Sequence, residues 1–182
     1  FQFFGNIGRL QGIEYILDAI ALTKNENLAF LFIGGGSAVR NVEEFITQNP
    51  DKNVNYHGAL PLEMKNLGLA SCDVALVSLE SGMTGLGVPS KSYFSMAADK
   101  PILAIMDKEA EIAKVVINEG IGWYSDTQDA VALASLMDSI NKSSILALRG
   151  KPRKVLIEKY SAECAMQKYR DCITPLINNV GS

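Results

Sequence analysis

Asp73-Val74-Ala75-Leu76-Val77-Ser78-Leu79, followed by Glu80-Ser81-Gly82-Met83-Thr84-Gly85-Leu86-Gly87 and then Val88-Pro89-Ser90-Lys91-Ser92-Tyr93, reads as three successive backbone states. A short run rich in valine and leucine is a buried strand, a polar stretch bearing glycines is a loop, and Pro-Ser-Lys ahead of an apolar segment is a helix start. The first turn of a helix leaves N–H groups unpaired and carries the positive end of the helix dipole. Ser90 therefore stands where an anion binds, and Lys91 adds a full charge. Phosphate suits such a junction. The plainer alternative is that Pro89 and Ser90 only start the helix and that Lys91 is a solvated surface lysine.

Upstream the same pattern recurs. Residues 1–4 form an apolar strand that turns at Gly5-Asn6-Ile7-Gly8 and again at Gln11-Gly12, after which Ile13, Ile16, Leu17 and Ile20 mark one helix face. A second apolar strand, 28–33, ends in Gly34-Gly35-Gly36-Ser37, with Val42, Phe45 and Ile46 on the helix that follows. A short third strand at 53–56 leads through His57-Gly58-Ala59-Leu60 to a helix opened by Pro61. Downstream, Lys100-Pro101 precedes a strand at 102–106, a helix at 109–119 with Ile112, Val115 and Val116 inward, and a last strand at 120–124. From Asp126 the chain is helical: Leu133, Leu136, Met137 and Ile140 make one stripe, and two further helices are expected at about 144–160 and 162–178. Pro152 should start or kink the first of these and Pro175 should weaken the second.

Strands that are apolar throughout and alternate with helices predict an α/β fold with a doubly wound, Rossmann-like parallel sheet of about six strands, covered on both faces. A helical C-terminal tail, 144–182, packs on it. Such a sheet binds its ligand at the carboxyl ends of the strands, near the topological switch point. All three glycine-bearing loops, 5–8, 34–36 and 80–87, fall at that edge.

Composition narrows the ligand. The 182 residues, 48% apolar, make one domain, and a net charge of −3 without a basic run argues against nucleic acid. Cys72, Cys164 and Cys172 have no metal or redox spacing, which suits a reducing, cytoplasmic compartment; Cys164 and Cys172 share one helical face and are expected to be buried. No apolar run reaches the roughly 18 residues of a membrane span. His57, the single histidine, is too little for most metal or triad chemistry and reads as a strand-end residue, while Trp123 reads as core. Gly5, Gly8 and Gly12 do not have dinucleotide-fingerprint spacing, and no acidic residue ends the second strand. A P-loop motif is also missing, so the pattern points to a nucleoside diphosphate held by backbone amides and one or two cations, with Arg9 and Lys91 as the candidates. Arg9 could equally be solvated surface, and Glu80 either contacts the ligand or caps its loop. The chain opens inside a strand with Phe1-Gln2-Phe3-Phe4-Gly5, which reads as a domain excised from something larger.

One set of motifs carries a family resemblance. Phe4-Gly5-Asn6-Ile7-Gly8 with Gln11-Gly12, Phe32-Ile33-Gly34-Gly35-Gly36, Asn53-Val54 with Gly58, Asp73-Val74, Val88-Pro89-Ser90-Lys91-Ser92-Tyr93, and Ala97 with Lys100-Pro101-Ile102-Leu103-Ala104 keep their order over about residues 2–105. Together they resemble the C-terminal, donor-binding domain of GT-B-type, family 4-like bacterial glycosyltransferases, particularly the capsule and O-antigen enzymes related to L-fucosamine transferases. The resemblance implies a retaining sugar transfer from a nucleoside-diphosphate sugar, UDP-linked rather than GDP-linked, with no other cofactor. It implies an acceptor-binding N-terminal half, a glycan or lipid-linked acceptor, and work in the cytoplasm at the inner face of the membrane; the domain alone would not turn over. Gly5 to Gly8 would face the pyrophosphate, Ala59 and Leu60 the base, Gly34 and Gly35 the same cleft, and Ser90 and Lys91 phosphate or ribose. Two departures stand out. Asn6 and Gln11 occupy places where many relatives carry arginine and lysine, and a glutamate pair usual in the family falls on Leu86 and Phe94. Two other classes stay open: a nucleotide-sugar 2-epimerase-like GT-B enzyme, and a non-catalytic nucleotide-binding module.

Overall fold

The computed structural model describes residues 1–85, 90–126 and 129–178. Six strands, β1 (Gln2–Phe4), β2 (Phe30–Ile33), β3 (Val54–Tyr56), β4 (Ala75–Ser78), β5 (Ile102–Ile105) and β6 (Gly122–Ser125), form one sheet in the order β3-β2-β1-β4-β5-β6. All pairings are parallel, with Gln2 beside both Leu31 and Ala75 and with Ala75 beside Ile102. The switch point therefore lies between β1 and β4, as the doubly wound reading requires.

Residue alternation along the strands divides the core in two. Phe3, Phe32, Leu76 and Leu103 point to one face, under α1 (Ile13–Leu22), α2 (Val39–Gln48) and α6 (Ala130–Ser139). Val77, Ile102 and Ala104 point to the other, under α4 (Lys91–Ala97), α5 (Glu111–Glu119) and α8 (Lys151–Tyr160). The short α3 (Lys65–Ala70) is tied to the sheet by Gln2, which is buried and whose Nε2 donates to the Gly68 carbonyl at 2.8 Å. The first five strands are a little shorter than expected because the flanking residues leave the ladder at the loops, and the last, expected at 120–124, is shifted to Gly122–Ser125.

The helical tail corrects two expectations. The helix predicted at 144–160 is two, α7 (Lys142–Leu146) and α8, separated at Gly150, whose φ is 81°. Asp99 fixes the break: its carboxylate accepts from Gly150 N–H at 2.7 Å and Arg153 N–H at 3.3 Å, capping α8 just ahead of Pro152. Arg153 Nε also donates to the Ala97 carbonyl, and Tyr93 packs on Tyr160 with ring centroids 5.7 Å apart, so the tail buttresses α4. In α9 (Ala162–Asn178), Pro175 is inside the helix and does not end it. Cys164 is half-buried and Cys172 exposed, not buried as expected. The reason is that α9 packs on α8 and leaves Met166, Tyr169, Ile173 and Leu176 exposed. Trp123, expected in the core, is half-buried and packs against the edge of the first core cluster. Among the described residues no single helix is long and apolar enough to cross a membrane.

The three-glycine loop separates two roles. Gly34 has φ 140°, and a Cβ there would fall 1.8 Å from the Gly5 carbonyl oxygen. At Gly35 a Cβ would meet nothing within 4 Å, and its φ is not in the positive range. Close backbone approach thus falls on Gly34 and, against the Ile7 carbonyl, on Gly36. Gly34→Ala is expected to destabilise the domain by at least about 1–3 kcal/mol through backbone strain, whereas Gly35→Ala should melt like the parent. Thermal melts of the two variants check this, and equal melting temperatures would remove Gly34 as the packing glycine.

Candidate functional site

At the switch point the loops after β1 and β4 part and leave a cleft of about 400 Å³. One part of its wall is polar, made by Gly5, Asn6, Gln11, Ser90 and Lys91; the other is Phe4, Lys65, Leu69 and Phe94. A larger hollow, about 580 Å³, lies near the amino-terminal ends of the strands around Asn25, Leu28, Asp73 and Lys142. Ligands of doubly wound sheets sit at the carboxyl ends, so the smaller cleft is the candidate.

Backbone bonds fix the first loop before any side chain takes part. Gly5 N–H donates to the Ile33 carbonyl and Ile7 N–H to that of Gly35, both at 2.8 Å, while Ala38 N–H returns to Ile7 at 2.9 Å. The following 3-10 turn, Arg9–Gln11, is held against the end of β4. Ser78 Oγ donates to the Gln11 carbonyl at 2.6 Å, and Glu80 N–H donates to that of Leu10 at 2.9 Å. Buried serine at the end of an otherwise apolar strand is thereby satisfied.

That anchorage brings the Gln11 side chain to Lys91. Lys91 Nζ donates to Gln11 Oε1 and stands 3.8 Å from the centroid of the Phe3 ring, itself fully buried. Lys91 is therefore not the solvated lysine of the plainer reading. Among the described residues no carboxylate lies within ion-pair distance of it, and burial pushes its ammonium down to about 7. Ser90 is exposed, has helical backbone angles and makes no capping hydrogen bond, so its hydroxyl is available to a ligand. Pro89, together with Leu86, Gly87 and Val88, lies outside the described residues, and so does the expectation that Pro89 starts the helix.

The other sequence-derived candidates divide. Gly5 and Asn6 line the cleft, with the Asn6 side chain lying over Gly8, where a Cβ would fall 2.9 Å from Asn6 Nδ2. Arg9 is exposed on the 3-10 turn and does not line it. Gly34 packs beneath Gly5, and Gly35 is open. Ala59 is exposed; Leu60 lies over Gly68, where a Cβ would be 2.6 Å from Leu60 Cδ1. Glu80 is half-buried with its carboxylate over Gly12, 3.3 Å from where a Cβ would stand. The loop that follows Glu80 is gathered onto one carboxylate. Ser81 Oγ donates to Asp107 Oδ1 at 2.9 Å, and Gly82 N–H and Thr84 Oγ1 donate to Oδ2 at 2.8 and 3.1 Å. These donors hold the Asp107 carboxyl below its ordinary range. His57 is exposed, its N–H spent on the Phe32 carbonyl. No group of three or more His, Cys, Asp and Glu among the described residues is placed to hold a metal ion.

Sequence reasoning missed Lys65, Phe4 and Leu69 as cleft residues and gave Phe94 only as a replaced glutamate. Lys65 Nζ stands 3.4 Å above the centroid of the Phe94 ring. Phe94 could have been found, since it follows Lys91 by one turn on the same helix face. Lys65 had no local signal, because only the tertiary packing of α3 near α4 brings it there.

Comparison with known proteins bears on the family and the fold. The profile of the family "Glycosyl transferases group 1" matches residues 1–142. The chain is 54% identical over 178 residues to the probable glycosyltransferase WbjE of Pseudomonas aeruginosa, covering 98% of this chain and 44% of the relative, so it spans less than half of that protein's length. Among solved structures, Anabaena HepE in complex with UDP and glucose superposes with a TM-score of 0.73 at 14% identity, over 95% of this chain and 48% of that one. The C-terminal domain of the glycosyl transferase LpcC from Francisella tularensis gives 0.67 at 14% identity, over 88% and 87%. At these identities the structural matches speak for the fold. With the profile covering most of its length, the chain belongs to the group 1 family of glycosyl transferases.

Proposed function

We propose that this domain binds the nucleoside-diphosphate sugar donor of a glycosyltransferase, with the diphosphate at Lys91. The observation that carries the reading is a switch-point cleft whose lining, among the described residues, has two lysines and no carboxylate. The family membership supports transfer as the chemistry, and the UDP complex of HepE supports UDP as the nucleotide. The whole enzyme is read as retaining, with a separate acceptor-binding half that precedes this domain. Its acceptor is a glycan or lipid-linked sugar of capsule or O-antigen synthesis, at the cytoplasmic face of the membrane. The 182 residues alone bind the donor without transferring it.

Breaking the glycosidic bond builds negative charge on the leaving diphosphate, and fixed donors aimed at that charge lower the barrier. A cation beside buried Phe3 acts in a low-dielectric setting, where each charge–charge contact is stronger than in water. Ser90 and the Asn6 side-chain amide supply neutral donors in the same wall. A 2-epimerase is expected to bring acidic and histidine residues to the cleft, and the described lining of this one has no aspartate, glutamate or histidine.

Loss of one charge-assisted contact removes about 1.5–3 kcal/mol, so Lys91→Ala should weaken UDP binding roughly ten- to a hundredfold while uridine binding is unchanged. Calorimetric titration of both ligands into parent and variant measures this; a uniform loss, or none, takes Lys91 out of the site. A sugar-transfer assay belongs beside it, and turnover by the isolated chain would contradict the reading of a donor half.

Linkage supplies a second outcome. Because the folded Lys91 group titrates at about 7, below its ordinary 10.5, the unfolded chain holds more protons between those values and stability rises with pH across that window. At about pH 8 the amine is mostly neutral, and a diphosphate must recharge it, so UDP binding should take up a proton. Titrations in buffers of different ionisation enthalpy read the uptake, which Lys91→Ala should abolish; zero uptake in the parent would mean that Lys91 meets no phosphate.

A further inference from the structure

We propose that Lys65 is a second phosphate-binding cation, held over the Phe94 ring and handed to the diphosphate when the donor binds. The inference rests on the reading of the cleft as a diphosphate site. Lys65 begins α3 and Phe94 lies on α4, so their contact, with Nζ 3.4 Å from the ring centroid, crosses between elements on either side of the cleft. Both residues line the same cleft as Lys91.

What holds Lys65 is weak by kind. Among the described residues no carboxylate lies within ion-pair distance of it, and Phe94 is 45% exposed. A cation over a water-exposed ring is held less tightly than one donating to a charged phosphate oxygen. A diphosphate entering the cleft therefore draws the ammonium off the ring, since only the phosphate offers a charged acceptor. A carboxylate at position 94 would hold the same lysine in an ion pair and neutralise it. Phenylalanine keeps Lys65 in place without cancelling its charge. Departure of the ammonium also uncovers one face of Phe94, which can then pack against the apolar part of the ligand.

The test titrates inorganic pyrophosphate, UDP and uridine into the 182-residue chain and its variants. Lys65→Met, which keeps most of the side-chain volume, is expected to weaken pyrophosphate and UDP roughly tenfold and leave uridine unchanged; Lys65→Arg should restore binding. In the parent, pyrophosphate should shift the Phe94 ring protons in NMR spectra, a change independent of any effect of substitution on folding. Parent-like pyrophosphate binding by Lys65→Met overturns the proposal, as does unmoved Phe94 resonance at saturation. If Lys91→Ala still weakens pyrophosphate in that case, the failure is confined to Lys65; if Lys91→Ala is also without effect, the donor-site reading falls with it.

Discussion

With Ala75–Ser78 and Ile102–Ile105 buried along their whole length, neither central strand can carry an unsatisfied polar group until the chain leaves the sheet. Desolvating a charge between two apolar layers would cost more than any single contact returns. Polar chemistry is therefore confined to the sheet's ends, and the parallel topology collects the loops after β1, β2, β3 and β4 at one of them. Ser78 marks the boundary: it is the last residue of β4, buried, and its hydroxyl is spent on the Gln11 carbonyl. Through that bond the first loop is set, and through Gln11 so is the position of Lys91.

The cleft's cations are held in an uncommon way. Lys91 lies over Phe3 and Lys65 over Phe94, with an amide in place of a carboxylate at Gln11. Ring faces and amide oxygens orient an ammonium without neutralising it by an ion pair, so that its charge, when protonated, acts on an incoming anion. Carboxylates would orient it more firmly but cancel its field. The loop after β4 uses the opposite solution: its three donors converge on the Asp107 carboxylate, so that their hydrogen bonds are already made away from the cleft. Behind α4, the Tyr93–Tyr160 contact and the Asp99 cap on α8 hold the helix that carries Lys91 and Phe94.

Much of this was legible in the sequence, for a physical reason. Strands buried on both faces must be apolar throughout, so β4 and β5 were readable as apolar runs; the more exposed β3 and β6 were readable from their place between helices, and that alternation gave a parallel sheet with its loops at the carboxyl edge. Lys91 was legible because it follows a strand, a glycine-bearing loop and a helix start in the order that junction demands. What failed depended on contacts distant in sequence. Arg9 looked like a phosphate cation by proximity to Gly8, yet the 3-10 turn exposes it outside the cleft. Lys65 gave no signal because α3 meets α4 only in the folded chain. Gly34 and Gly35 were read alike, and only the folded chain separates them, since three adjacent glycines do not reveal which backbone is approached. Cys172 looked buried by helical periodicity, which shows that a helix has an apolar stripe but not that this chain covers it.

The central claim is that the diphosphate of a nucleotide sugar sits at the β1/β4 switch point against a desolvated lysine. A crystal structure of the chain soaked or grown with UDP tests it most directly. The expected result is a β-phosphate oxygen within hydrogen-bonding distance of Lys91 Nζ, with the Gly5 to Gly8 loop alongside. UDP bound at another edge of the sheet, or bound in this cleft with Lys91 still turned to Gln11 and no phosphate in reach, would contradict it.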